Sequence, residues 1–331
     1  MNSVLFLSHA LHDAHRGFAE AIGAQTASLP FEPYIRLIKR FPPLRYAYPF
    51  FTSFYGMFVP FQGDILVADG ASSLFAALAV KKRRPGSKLM YLDADLFFYN
   101  LCKNDTSKNA SFLSFLKEID GVITVSEANK KYCARFLDVP MRVCPPFPKK
   151  LRQTDSIRKP YGLYVGRLDP DKNIQRIVTF GLQCPFFEKF VVAGDGVLRK
   201  WIEKTAQENK KLLYVGERED IEAYYNECQF LVHLPDHDPH PTTPMEAALC
   251  GCFPLMTKTI GTASLFDDLF LIEDPDDFVA INGRIKYIME RDHKVEELLR
   301  QDIEKMPTRA STLKTFREAF TEVVDQIRRK Q

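Results

Sequence analysis

Long apolar runs are missing from this chain. No stretch approaches the ~18–20 apolar residues that a membrane-spanning helix requires, and the opening, MNSVLFLSHALHDAHRG, has neither the basic start nor the small-residue cleavage site of a secretory signal. A strong charge of one sign is missing too. The 45 basic and 42 acidic residues leave +3 at neutral pH, which gives no overall electrostatic footprint for nucleic acid. The seven cysteines are scattered and odd in number. Without an export signal they are expected to be reduced, packed as small apolar residues. Cys250 and Cys252 stand closer than the Cys-x2–4-Cys spacing of zinc sites. No long internal repeat or low-complexity tract is visible. These absences leave a cytosolic globular protein as the expectation.

The chain has 331 residues, 46% of them hydrophobic and 26% charged, enough for two domains of ordinary size. Short apolar segments alternate with helical stretches. In the first half the strand candidates are residues 3–9, 64–70, 88–93 and 120–126; in the second they are LYVG, FVVAG, LLYVG and FLVHLP. The alternation predicts α/β architecture, with parallel sheets covered by helices on both faces. Ligands of such sheets bind beyond the carboxyl ends of the strands. Residues 145–160, rich in proline and charge, read as a linker. It separates a domain over 1–150 from one over 151–309, with a terminal helix over 310–331 that carries Leu313, Phe316, Phe320, Val323, Val324 and Ile327 at helical spacing.

The chemistry concentrates in the second half. YGLYVGRLDPDK (161–172) is a strand that ends at Gly166 and is followed by Arg167 and Lys172. DPHPTTPME (238–246) is a loop with Asp238 and Glu246 at its ends, seven residues between them. Two cations on one loop take a diphosphate, and two carboxylates on another take sugar and ribose hydroxyls. Four ordered segments, LYVGRLDPDKNIQRIV, FVVAGDGVLRKWIE, LLYVGERED and CQFLVHLPDHDPHPTTPMEAALCGCFPLM, resemble the retaining glycosyltransferases of family four. The resemblance is clearest over residues 161–275. It implies a GT-B fold, two Rossmann-like domains whose parallel sheets face an inter-domain cleft that closes on the donor, with the terminal helix crossing back to the first domain.

By that resemblance the donor site consists of Gly166, Arg167, Lys172, Gly194, Gly216, Glu217, Asp238, Thr242, Thr243 and Glu246. Arg167 and Lys172 stabilise charge on the departing diphosphate and replace a metal ion. Glu246 holds the ribose, and Asp238 contacts the transferred sugar. Arg167 and Lys172 read equally as a surface pair beside Asp169 and Asp171, Glu246 as a helix carboxylate starting EAALCG, and Gly194 and Gly196 as a tight turn. Asp238 is one methylene shorter than the family's usual Glu. Pro241 stands where the family often has Gly and has no N–H to donate. His233, Asp236, Asp238, His237 and His240 offer a rival metal reading. No cofactor or metal is expected.

The first half matches the family more loosely. The paired glycines expected after the first strand are absent from HALHDAHRGFAEAIG (9–23). Asp93, where relatives often have histidine, and Asp95 close a strand and are either candidates to orient or deprotonate an acceptor hydroxyl or a helix cap or strand-end turn. Ser126 is either a third acceptor-site residue or a helix cap. Residues 31–61 interleave aromatics with Arg36, Lys39, Arg40 and Arg45. That mixture suits peripheral membrane contact or a lipid-phosphate acceptor, and equally an aromatic domain core. The expected partners are a nucleotide-sugar donor and a glycan, lipid-linked or small-molecule acceptor. The expected activity is metal-independent retaining transfer, against a non-catalytic nucleotide-sugar binder or a GT-B epimerase or hydrolase.

Overall fold

A computed structural model of the protein describes residues 3–8, 13–29, 50–103 and 110–329. The chain divides into two compact units, Met1–Pro146 with Thr308–Gln331, and Phe147–Pro307. The first boundary falls four residues before position 150, within the proline-rich segment.

The first unit contains a parallel sheet of β1 (Val4–Ser8), β2 (Gln25–Ser28), β3 (Ile65–Asp69), β4 (Lys88–Asp93), β5 (Gly121–Thr124) and β6 (Met141–Val143), in the order β2-β1-β3-β4-β5-β6. Its central strands are buried on both faces, so they read as continuous apolar runs. Alternate residues feed two cores. Leu5, Leu7, Leu66, Leu89, Tyr91 and Val122 pack on one face. Phe6, Val67, Met90, Leu92 and Ile123 pack on the other, against the helices Asp13–Ala21 and Arg309–Arg329. The terminal helix belongs to this unit through Phe316, Phe320, Val323, Val324 and Ile327.

The second unit contains β7 (Lys159–Val165), β8 (Lys189–Ala193), β9 (Leu212–Gly216), β10 (Cys228–His233), β11 (Phe253–Thr257) and β12 (Leu271–Ile272), all parallel, in the order β12-β11-β10-β7-β8-β9. Strand order reverses between β7 and β10 here, and between β1 and β3 in the first unit. Such reversal points open the crevices in which doubly wound sheets bind ligands.

Of the four strands that sequence reasoning missed, three are edge or short ones, and the fourth, β11, is a fully buried five-residue strand between β10 and β12. β2 is polar and largely exposed, β6 has three residues and β12 two. β11 follows directly on the Cys-Gly-Cys turn and contains Pro254. The helix expected to begin at Glu246 starts earlier, at Thr243, because Pro244 is well placed in a first turn; Glu246 is its fourth residue.

Candidate active site

The reversal between β7 and β10 brings the two sequence motifs together. β7 leads into Gly166 and Arg167, and a 3-10 turn (Pro170–Lys172) delivers Lys172. Asn173, in the left-handed region at φ 51°, then redirects the chain into the helix Ile174–Gln183. β10 leads into the acidic loop. Lys172 Nζ meets Asp238 Oδ2 at 2.6 Å, and His233 Nε2 lies 3.2 Å from the same oxygen. The Lys172 and Asp238 side chains are only 13% and 10% exposed. Burial would push the Asp238 carboxyl up, but the hydrogen bond from His233 and the charge of Lys172 outweigh it and hold it well below the usual carboxylate range.

Arg167 extends into solvent and forms ion pairs with Asp169 and with Asp171, the latter at 2.9 Å. The surface pairing open at sequence level is thus made. Exposed pairs of this kind are worth ~0–1 kcal/mol, so the guanidinium can exchange them for a phosphate at little cost.

Glu246 is buried and faces inward. Its Oε2 accepts from Tyr225 Oη at 3.2 Å, and its Oε1 accepts from Thr242 Oγ1 at 3.0 Å. Thr243 Oγ1 is buried without a hydrogen-bond partner, as is Nδ1 of both His233 and His240. Three orphaned polar atoms within eleven residues of one loop are unusual, since buried polar atoms are normally paired.

The acidic loop is strapped down by a segment that sequence reasoning did not single out. Thr257 Oγ1 donates to the Pro235 carbonyl at 2.7 Å, Thr259 Oγ1 to Asp236 at 2.7 Å and Thr262 Oγ1 to Pro241 at 2.9 Å. The Gly261 N–H donates to the Asp238 carbonyl at 2.9 Å. The clustered hydroxyls of KTIGTAS are the available signal.

Gly194 is required by its neighbour. Its φ is 137°, and a Cβ there would come 1.9 Å from the Gly166 carbonyl oxygen. A Cβ at Gly196 would press on the Leu168 backbone at 2.7 Å. These glycines let the ends of β7 and β8 close together, with Gly166 N–H bonded to Ala193 and Leu168 N–H to Asp195. Gly216 ends β9 at φ 73°, followed by exposed Glu217.

The other histidines and carboxylates of the loop diverge from the His233–Asp238 pair. His237 Nδ1 bonds the Thr259 carbonyl at 2.8 Å, while Asp236 receives Asn173 and Arg176. Burial lowers the His240 pKa to about 4. Among the described residues no group of three or more His, Cys, Asp or Glu is arranged to hold a metal ion.

In the first unit the three acceptor candidates are held by neighbouring groups, and two of them cap helices. Asp93 is fully buried at the end of β4. Its Oδ2 accepts from Thr124, Asn129 and Cys133, while Oδ1 has no partner. Burial, then the nearby Asp95, raises its pKa to about 7. Asp95 is spent on backbone: its carboxylate caps two helices through the N–H groups of Ala71 and Phe97. Ser126 caps the helix Glu127–Cys133, accepting from Asn129 N–H at 3.1 Å.

A different group occupies the β1–β3 reversal. Asp69 Oδ2 accepts from Ser8 Oγ at 2.6 Å and lies 2.8 Å from His15 Nδ1. Burial pulls the His15 pKa down, but the hydrogen bond and charge of Asp69 prevail and the net shift is upward. The sequence signal was the Asp-Gly that ends DILVADG. Residues 9–12, where paired glycines were sought, and 30–49, most of the aromatic-basic segment, lie outside the described residues.

This architecture is that of the GT-B glycosyltransferases. Residues 149–306 match the family model described as glycosyl transferases group 1, which is just under half of the chain. The structure of Anabaena HepE in complex with UDP and glucose is similar, with a TM-score of 0.72 at 15% identity over 98% of this chain and 100% of that one. Sucrose-phosphate synthase from Thermosynechococcus elongatus aligns with a TM-score of 0.73 at 16% identity, over 99% and 100% of the two chains. The lipopolysaccharide outer core galactosyltransferase WaaB gives 0.64 at 13%, over 97% and 99%. No curated protein matches the chain. The family match and the architecture support a glycosyltransferase.

Proposed function

We propose that the protein transfers a sugar from a nucleotide-diphosphate donor to an acceptor hydroxyl, with retention of anomeric configuration and without a metal ion. The observation that carries this reading is the meeting of Lys172 and Asp238 at the β7–β10 reversal, within the segment that matches group 1 glycosyl transferases and that also carries Arg167 and Glu246. Glu246 accepts the ribose hydroxyls, and Asp238 accepts a hydroxyl of the transferred sugar. Arg167 and Lys172 bind the diphosphate. The bond from the anomeric carbon to the phosphate oxygen breaks, and the acceptor oxygen bonds to that carbon from the same face. The acceptor's proton passes to the departing phosphate, whose charge the two cations stabilise. UDP is the first carrier to test, because HepE was solved with it.

The acceptor belongs to the first unit. His15, partly exposed and oriented by Asp69, is better placed to meet an acceptor hydroxyl than the buried Asp93. Phe50, Phe51, Phe54, Met57 and Phe58 are all exposed on and just after the helical residues 50–56. That aromatic surface supports a lipid-linked acceptor met at a membrane face. No helix among the described residues is long and apolar enough to cross a membrane.

A second reading, a non-catalytic sugar-nucleotide binder, draws on the double ion pair of Arg167 and on Pro241. The test is a thermal-shift screen against UDP, GDP, ADP and their sugar conjugates, with and without EDTA, followed by product analysis. Stabilisation by one nucleotide sugar, abolished by Arg167→Ala, with a transferred product in EDTA, is the expected result. Binding without transfer favours the second reading; isomerised or hydrolysed donor means an epimerase or hydrolase. Activity lost in EDTA and restored by metal overturns metal independence.

A further inference from the structure

His233 ends β10 and is 3% exposed, within a largely apolar interior. Its ring lies flat against Tyr164, at 7° and 6.5 Å between centroids. Tyr164 in turn donates its hydroxyl to the Arg167 carbonyl at 2.8 Å. Nε2 reaches Asp238 Oδ2, and Nδ1 is buried with no partner. An ionised carboxylate can only accept, so Nε2 carries a proton and donates it to Asp238, while Nδ1 makes no hydrogen bond among the described residues. An aromatic hydrocarbon would fill this slot without stranding a polar atom. What the imidazole adds is one N–H aimed at Asp238.

Lys172 aims at that same oxygen, but as the donor-site cation it has a second task on the diphosphate. A carboxylate held by Lys172 alone would lose its anchor whenever the ammonium turned to phosphate. Both donors converge on Oδ2, and among the described residues Oδ1 receives no hydrogen bond. We propose that His233 is a positioning residue that keeps Asp238 in place when Lys172 engages the donor phosphate, so that Oδ1 meets a hydroxyl of the transferred sugar. The inference rests on the nucleotide-sugar reading of this site.

The experiment compares the full-length wild type with His233→Phe, His233→Gln and Asp238→Ala, titrated by calorimetry with UDP, GDP and ADP and with their glucose, galactose and N-acetylglucosamine conjugates. The wild type should bind one sugar conjugate more tightly than its bare nucleotide. Asp238→Ala and His233→Phe should each weaken that conjugate about tenfold, the loss of one hydrogen bond to a charged group. His233→Phe should leave the bare nucleotide within twofold. His233→Gln, which restores an N–H at similar reach, should keep most of the sugar increment. In donor turnover His233→Phe should lower kcat more than it raises the KM for acceptor.

Equal weakening of conjugate and bare nucleotide in His233→Phe would make His233 merely structural and overturn the proposal. So would an unchanged sugar increment, or a His233→Gln variant as impaired as His233→Phe. Should His233→Phe fail to fold, His233→Gln against Asp238→Ala decides: the proposal stands if only the latter loses the increment. A wild type that binds none of these ligands overturns the nucleotide-sugar reading itself, and the proposal with it.

Discussion

Replacing Lys172 with methionine keeps the aliphatic stem and removes the charge that faces Asp238. The pair is 2.6 Å long and nearly closed to solvent on both sides. Removing one partner of a buried pair costs about 3–5 kcal/mol, because the other charge is left uncompensated. His233 still donates to the stranded carboxylate, so the lower end, about 3 kcal/mol, is expected. For a unit of this size 1 kcal/mol moves Tm by about 2–4 °C, giving a fall of about 6–12 °C. The sign with pH follows from the depressed pKa of Asp238. Its stabilising contribution is fully present above the unfolded carboxyl value of about 3.9 and is lost as pH falls toward the folded value. The gap between wild type and Lys172→Met should therefore be complete at pH 7 and close progressively below about pH 4. Adding Asp238→Asn removes the stranded charge, and Lys172→Met/Asp238→Asn should recover to within about 1 kcal/mol of wild type. Differential scanning calorimetry of the three proteins measures all of this. A double variant no more stable than Lys172→Met, or a gap independent of pH, would refute the electrostatic account.

Arg167→Ala should leave stability within about 1 kcal/mol of wild type, because its ion pairs are exposed, while weakening nucleotide binding at least about tenfold; unchanged affinity by calorimetry removes the phosphate assignment. Glu246→Gln should weaken the nucleotide by a similar factor, whereas an effect confined to Tm would make the carboxylate only a partner of Tyr225 and Thr242. His15→Ala should lower product formation at least about tenfold with donor affinity unchanged, and full activity would exclude it from acceptor chemistry. Asp93 titrates at about 7 when folded, above its unfolded value, so the folded state holds the extra proton. Its contribution is complete below about pH 4 and is lost as pH rises through 7, at ~1.4 kcal/mol per pH unit. Urea unfolding at pH 4.5, 6 and 7.5 should show a flatter dependence in Asp93→Asn; an identical slope rules Asp93 out as its source.

Much of the architecture was legible because fully buried parallel strands must be apolar along their whole length. β1, β3, β4, β5, β8 and β10 stand out as such runs, and each is followed by a small or polar residue where the chain leaves the sheet. Edge strands obey no such rule. β2 reads QTAS because half of it meets solvent, and nothing in its composition separates it from a loop. Arg167, Lys172, Asp238 and Glu246 were legible as candidate ligands because their types and spacing suit a sugar nucleotide.

The relations among these residues belong to tertiary structure alone. Lys172 and Asp238 are 66 residues apart, and they meet because β7 and β10 are neighbours across a reversal in strand order that no local pattern encodes. His233 looked like one of several possible metal ligands; the sheet turned it to Asp238 and sent His237 to a backbone carbonyl. Gly194 looked like an ordinary turn until Gly166 was placed beside it. Asp95 and Ser126 were open between acceptor groups and helix caps, and packing supplied helix N-termini that take their oxygens. The sequence by itself determined most of the strands with two buried faces and which side chains are candidates for donor-site chemistry, since apolar character and functional-group identity are properties of residues. Only the tertiary structure decided which of those groups touch, because contact depends on strand order, and strand order is set by how whole sheets bury both faces.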